Sequence, residues 1–326
     1  MSLGASFSPR RASNQGLDWQ AAFQRLLALE LSPLRLSAFW DDVDGPGHHD
    51  LDWQLAEAER AGRDVVLSVG MKAQGWPEFA IPEGLEVTAR RGVDVGAGNP
   101  ALREAVLEFV HGTVQRYRKL RRIVAWQVEN EPVNPSGRRR WWISPDLVRD
   151  EIAEVRRADA SRPIVVNAFA SFNWRLDVAA CRHGLRRVLG RDADRPEAEV
   201  LGLLQPGDIL GLDVYRRIGY FLFGSARYTT SNRWLTNAER WHARAAAERK
   251  RAWIVEAQAE PWEPSGLATD AVPRSCVPAD VIETVTSLRG VGYDTILLWG
   301  VEHMLTREDA GDSSWLEAVA SLQERF

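Results

Sequence analysis

The feature that most constrains this chain is an alternation repeated along its whole length: a short, β-branched apolar run, an amphipathic helical stretch, then another run. The runs read as strands near Leu3–Phe7, Leu34–Ala38, Val65–Val69, Ile123–Val128, Ile164–Asn167, Ile209–Val214, Trp253–Glu256 and Thr295–Trp299. They are mostly apolar throughout, the pattern of parallel strands buried on both faces. Helical periodicity occupies about Trp19–Leu29, Asp52–Ala61, Ala101–Arg118, Pro145–Ala158, Asp177–Leu189, Trp234–Arg249, Ala279–Arg289 and Ser314–Arg325. Asn99-Pro100 and Ser144-Pro145-Asp146 each set a capping side chain before a first-turn proline. Eight strand–helix pairs in 326 residues predict an α/β chain folded as one closed (β/α)8 (TIM) barrel over residues 1–326. An open doubly wound sheet would carry a glycine-rich phosphate loop after its first strand, where this chain has Ser8-Pro9-Arg10-Arg11.

A barrel gathers its strand-to-helix loops on one face, where active sites form. Three of those loops are long here, Gly70–Asn99, Arg216–Arg233 and Ala257–Pro278, and their helix-to-strand counterparts are short. The extra sequence is therefore expected to build a binding cleft. Composition narrows what the cleft binds. A net charge of −4 gives no footprint for nucleic acid or anionic lipid, and Arg138-Arg139-Arg140 and Lys119 to Arg122 read as solvated loop or helix ends. Two cysteines, Cys181 and Cys276, exclude a disulfide framework and read as free thiols. None of the six histidines falls in a His-Glu-x-x-His spacing, and His48-His49 reads as solvated, so neither metal nor cofactor is expected. No run approaches the ~20 apolar residues of a membrane span. No secretory segment precedes the first strand, which starts almost at residue 1, so the sequence suits a cytoplasmic or a secreted protein.

Fourteen tryptophans are the compositional anomaly. Indole offers a flat apolar face with one donor, and the C–H faces of sugars stack on it. Trp40, Trp76, Trp142, Trp174 and Trp262 fall just beyond strands and are candidate sugar platforms, each with core packing as the alternative. Tyr220-Phe221-Leu222-Phe223 reads as a lid or an apolar plug on the rim.

The chemistry is sharpest at Ile123-Val124-Ala125-Trp126-Gln127-Val128-Glu129-Asn130-Glu131-Pro132, an apolar strand ending in polar, chargeable positions and a proline that stops it. Ala252-Trp253-Ile254-Val255-Glu256 ends in a glutamate too. Carboxyl groups at the ends of the fourth and seventh strands would face each other across a barrel mouth. Glycoside hydrolysis needs such a pair, one to protonate the leaving oxygen and one to attack or to activate water. Glu129 and Glu260 are the rival carboxylates on these two segments. Glu302 and His303, after the eighth strand, are candidates for sugar hydroxyls, and Asp41 and Asp42 read as loop caps.

Asn130-Glu131-Pro132 together with Glu256 resembles glycoside hydrolase clan A, the superfamily that includes the family 5 cellulases and mannanases. The resemblance implies a retaining β-glycosidase with Glu131 as acid/base and Glu256 as nucleophile. It implies that Asn130 binds the sugar 2-hydroxyl, that Arg35 supports the nucleophile and Tyr215 orients it, and that Trp299 floors the subsite of the cleaved sugar. The chain departs from the family 5 pattern at two histidines: Val69-Gly70-Met71-Lys72 follows the third strand, and Gly211-Leu212-Asp213 precedes the tyrosine. The expected substrate is a β-linked glucan, mannan or small β-glycoside; a catalytically weak carbohydrate-binding barrel and a transglycosylase remain the alternatives.

Overall fold

The computed structural model describes residues 2–42, 47–75, 78–85, 87–88, 90–169, 195–222, 224–229, 233–264 and 272–324. Trp76, Trp174, Cys181 and the helix expected over Asp177–Leu189 lie outside them. In chain order the strands are β1 (Ser2–Ser6), β2 (Leu34–Ser37), β3 (Val65–Val69), β4 (Ile123–Val128), β5 (Ile164–Phe169), β6 (Ile209–Val214), β7 (Gly219–Leu222), β8 (Ser225–Tyr228), β9 (Arg251–Gln258) and β10 (Thr295–Trp299). The helices are α1 (Pro9–Asn14), α2 (Trp19–Ala28), α3 (Gly47–Arg60), α4 (Pro100–Tyr117), α5 (Pro145–Ala158), α6 (Arg195–Leu203), α7 (Trp234–Ala247), α8 (Pro278–Val291), α9 (Val301–Asp309) and α10 (Ser314–Glu324).

Eight strands close into one parallel barrel in the order β1-β10-β9-β6-β5-β4-β3-β2. This is the (β/α)8 architecture that the alternation predicts. The helices begin where local chemistry starts them. Asn99 accepts from Leu102 N at 3.1 Å ahead of Pro100, and Asp18 accepts from Ala21 N at 2.8 Å to open α2. α5 turns Leu147, Val148, Ile152 and Val155 onto the barrel, and Glu151 is buried on the same face. Among the described residues no helix is long and apolar enough to cross a membrane.

Three departures from the sequence pattern concern the rim. Tyr220-Phe221-Leu222 lies in strand β7, paired antiparallel with β8 in a hairpin, and Phe223 lies outside the described residues. α1 forms directly after β1, opened by Ser8 accepting from Arg11 N at 3.4 Å. α9 starts as soon as β10 ends, carrying Glu302 and His303 into the interior.

Period-two alternation sorts the barrel residues into two sets. Val65, Leu67, Val69, Val166, Leu210, Leu212, Ile254, Ile296 and Leu298 join the large core beneath the helices, whereas Val66, Ala125, Val165, Ile209, Val255 and Leu297 form a small separate layer closing the barrel. Two residues on along the same strand faces, polar groups replace it: Gln127 after Ala125, Asn167 after Val165.

Candidate active site

Glu256 reaches this polar layer through a β-bulge. Leu212 pairs with Ile254 but Asp213 pairs with Glu256, and on the other side Ile296 pairs with Ile254 but Leu298 with Ala257. Both neighbours thus record one extra residue in β9. Strict alternation would send Val255 and Glu256 to opposite faces; the bulge re-aims the carboxylate into register with Asp213.

Glu131 arrives by a different device. Glu129 and Glu131 take positive φ, 60° and 44°, a conformation that costs a non-glycine residue about 1 kcal/mol or more and concentrates at functional sites. Backbone bonds hold it: Glu129 N donates to Val69 O at 2.8 Å, Asn130 N to Lys72 O at 2.8 Å and Glu131 N to Asn167 Oδ1 at 2.8 Å. Lys72, fully buried, donates from Nζ to the carbonyls of Glu131 (2.8 Å) and Asn134 (3.0 Å). Glu129 turns away from the mouth and accepts from the amides of Met71 (2.8 Å) and Lys72 (2.6 Å), so it braces the loop after β3. A Cβ on Gly70 would lie 2.4 Å from its carboxylate; here only glycine fits.

The two sequence-predicted carboxylates meet. Oxygens of Glu131, Asp213 and Glu256 all lie within 4.8 Å of one another, and all three residues are buried. Their surroundings differ. Glu256 accepts from Arg35 NH1 at 2.6 Å on Oε1 and from the Tyr215 hydroxyl at 2.6 Å on Oε2. Glu131 accepts from the Asn134 side-chain amide at 2.8 Å. Burial raises the Glu131 pKa to about 7; Lys72 opposes that rise and the charge of Glu256 adds to it. The Tyr215 hydroxyl is pushed well up by burial and by Glu256, so it stays a donor. Carboxylates at this spacing attract a cation, and here the Arg35 guanidinium is that cation.

Arg35 spans the mouth. Its Nε donates to Gln127 Oε1 at 2.7 Å and its NH2 to Asn130 Oδ1 at 2.6 Å. Asn167 donates to Asn130 Oδ1 at 2.9 Å and to Asp213 Oδ2 at 2.7 Å. Gln127, Asn134, Asn167 and Asp213 were not singled out from sequence. Their signal was present for three of them: each is a polar residue inside or ending an otherwise apolar strand.

Trp299 lies on the rim beside Tyr215, its Nε1 donating to Glu260 Oε1 at 3.0 Å. Trp262 donates to the same oxygen at 3.0 Å, packs 4.7 Å from the Tyr215 ring and remains 36% exposed, the open aromatic face beside Glu256. Arg11 pairs with Glu260 and Glu302 and sits 4.9 Å over the Trp299 ring. Glu302 is buried, held by that pair and by Ser8 N, which donates to it at 2.8 Å. His303 is buried against Trp315, and burial lowers its pKa to about 4. Trp40 stacks on Phe109 in the core, 5.5 Å between centroids, and does not join the site. Trp142 is half-buried in a bridge with Asp94. Asp41 and Asp42 pair with Arg10.

No family model matches the chain, and no curated protein matches it in sequence. Solved structures do. The chain is similar to the β-galactosidase of Rahnella sp. R3, with a TM-score of 0.59 and 13% identity over 99% of this chain and 56% of that one. It is similar to the exo-β-1,4-mannosidase Op5Man5 of Opitutaceae bacterium strain TAV5, with a TM-score of 0.61 and 12% identity over 100% of this chain and 60% of that one. It is similar also to a GH10 endoxylanase from a sugarcane soil metagenome, with a TM-score of 0.52 and 14% identity over 92% and 86%. At these identities the likeness is one of fold, the closed (β/α)8 barrel. This chain spans under two thirds of the galactosidase and the mannosidase.

Proposed function

We propose that this protein is a retaining β-glycoside hydrolase of clan A type, with Glu131 as general acid/base and Glu256 as nucleophile. The observation that carries the reading is the approach of the two carboxyl groups within 4.8 Å, in surroundings that set them apart. Retaining enzymes hold their pair about 5–5.5 Å apart, whereas inverting ones leave about 6.5–9.5 Å for a water molecule.

The roles follow from the hydrogen bonds. Glu256, pointed by its hydrogen bonds from Arg35 and Tyr215, attacks the anomeric carbon. Glu131 keeps its proton near neutral pH and gives it to the departing oxygen. A water molecule then displaces Glu256 from the sugar, and Glu131 takes that water's proton. Asn130, fixed through its oxygen by Arg35 and Asn167, is placed to meet a hydroxyl of the sugar. Trp299 floors the subsite and Trp262 offers the stacking face beside it. β-Linked glucans, mannans and small β-glycosides are the substrates this reading names.

The test is turnover of a panel of aryl β-glycosides by the wild type, Glu131→Gln and Glu256→Gln. Each variant is expected to lose at least about 100-fold, the scale of removing a positioned acid or base. Unchanged turnover in either variant removes its assignment, and a wild type that binds sugars but cleaves none turns the reading to a carbohydrate-binding barrel. Sugar transfer outrunning hydrolysis when an acceptor is added would turn it to a transglycosylase.

A further inference from the structure

Asp213 is a third carboxyl in the barrel mouth that the reaction above does not use. It is fully buried at the end of β6. One oxygen, Oδ2, accepts from Asn167. The other, Oδ1, is buried and has no hydrogen-bond partner among the described side chains and backbone. An oxygen of the same carboxyl lies within 4.8 Å of one of Glu131. Two ionised carboxyl groups facing each other offer acceptors only, and a buried unpartnered oxygen costs about 1–3 kcal/mol. A proton on one of them turns that contact into a hydrogen bond.

The groups facing Asp213 decide which carboxyl carries it. Glu256 on β9 and Glu131 beyond β4 are acidic, Tyr215 just beyond β6 is a neutral phenol, and Asn167 on β5 is a neutral amide. Arg35 on β2 is the cation, but its donors are committed to Glu256, Gln127, Asn130 and Ser6. Asp213 therefore has two acidic neighbours and no cation bonded to it, and burial with those two charges pushes its pKa well up.

We propose that Asp213 is a positioning residue that remains a neutral acid through the catalytic cycle and donates its proton in a hydrogen bond to Glu131. It fixes the Glu131 carboxyl opposite the amide of Asn134 and supports its charge once the Glu131 proton has gone to the leaving group. The Asp213 proton itself does not transfer. This role rests on the glycosidase reading, but its protonation state is measurable without substrate.

The experiment has a spectroscopic and a kinetic arm. Infrared difference spectra of wild type against Asp213→Asn at neutral pH are expected to show the carbonyl stretch of one protonated carboxyl in the wild type that the variant lacks. In the kinetic arm, Asp213→Ala deletes the donor and is expected to lose about 100-fold in turnover, the scale of one preorganised hydrogen bond. Its alkaline limb moves to higher pH, because a lone Glu131 carboxylate is less well supported. Asp213→Asn supplies a neutral donor of the same shape; it is expected to recover most of that loss with the alkaline limb where the wild type has it. A missing infrared band overturns the proposal. So does an alkaline limb that falls by about one pH unit in Asp213→Asn, the signature of a removed negative charge. If Asp213→Ala fails to fold, the infrared band and the Asp213→Asn limb still decide. A wild type inactive on every β-glycoside would sink the glycosidase reading while leaving the band to be seen.

Discussion

Arg35 shows how single residues divide the work in this site. One planar fork reaches three acceptors on two segments, Gln127 and Asn130 at the end of β4 and Glu256 on β9, while wholly buried. Lysine carries the same charge but sets its donors on one nitrogen, which cannot span acceptors spread around a planar fork. Arg35→Lys is therefore expected to strand two buried acceptors and to destabilise the fold by about 3 kcal/mol, the scale of leaving such groups unpaired. Urea denaturation checks it; a wild-type midpoint with an unchanged slope would contradict it. Glu131 and Glu256 were legible in the sequence because each is a carboxyl where an apolar strand ends, whereas Arg35, Asn130, Tyr215 and Trp299 came only with the resemblance to clan A. Trp40 stands beyond a strand as well yet packs in the core, and Glu302 is engaged by Arg11 and Ser8, since position along a strand says nothing of which neighbour satisfies a side chain. Asn134 carried no strand signal, because it stands in the loop beyond Pro132.

At the scale of elements, β6 sets the spacing of the site. Gly211 lies between Ile209 and Asp213, and a Cβ there would stand 2.8 Å from that of Asn167 and 3.0 Å from Val255 Cγ2. The missing side chain lets β5 and β9 close on β6, which brings Asn167, Asp213 and Glu256 together. Gly211→Ala is expected to cost about 1–3 kcal/mol through overpacking and to lower turnover by spreading the carboxyls. A variant with wild-type melting temperature and turnover would show that β6 does not set this spacing. Six of the eight barrel strands begin where the sequence pattern begins them, and Val65–Val69, Ile123–Val128, Ile209–Val214 and Thr295–Trp299 match at both ends. The bulge in β9 was not legible. Trp253-Ile254-Val255-Glu256 reads as plain alternation, and that reading would point Glu256 out of the barrel. The hairpin of β7 and β8 was missed for a related reason: its second strand, Ser-Ala-Arg-Tyr, lacks the apolar signature of the barrel strands.

The whole molecule carries an unusual load of buried carboxyl groups. Glu129, Glu131 and Glu260 are each raised to about 7 by burial, and Glu151, Asp213 and Glu302 are raised as well. In the unfolded chain such groups titrate near 4. Between roughly pH 4.5 and 7 the folded state thus holds more protons than the unfolded one, and stability falls as pH rises. The contribution is complete below the unfolded pKa and is lost as pH climbs through the folded values. Asp52, Asp159 and Glu263 are lowered and act in the opposite sense toward pH 4 and below, and His303, lowered to about 4, opposes the decline up to its unfolded value of about 6.5 without outweighing the six carboxyls. The melting temperature is therefore expected to decline steadily from pH 5 to pH 8. Glu151→Gln, which removes one of these protons beside Glu129, is expected to make the decline shallower. A melting temperature rising over that interval would contradict the account.

The central claim is tested most directly by trapping. An activated 2-fluoro β-glycoside of the sugar that the protein turns over, followed by peptide mapping of the labelled protein, is expected to place one covalent sugar on Glu256. A label on Glu131, Glu260 or another side chain, or first-formed product of inverted anomeric configuration, would contradict it.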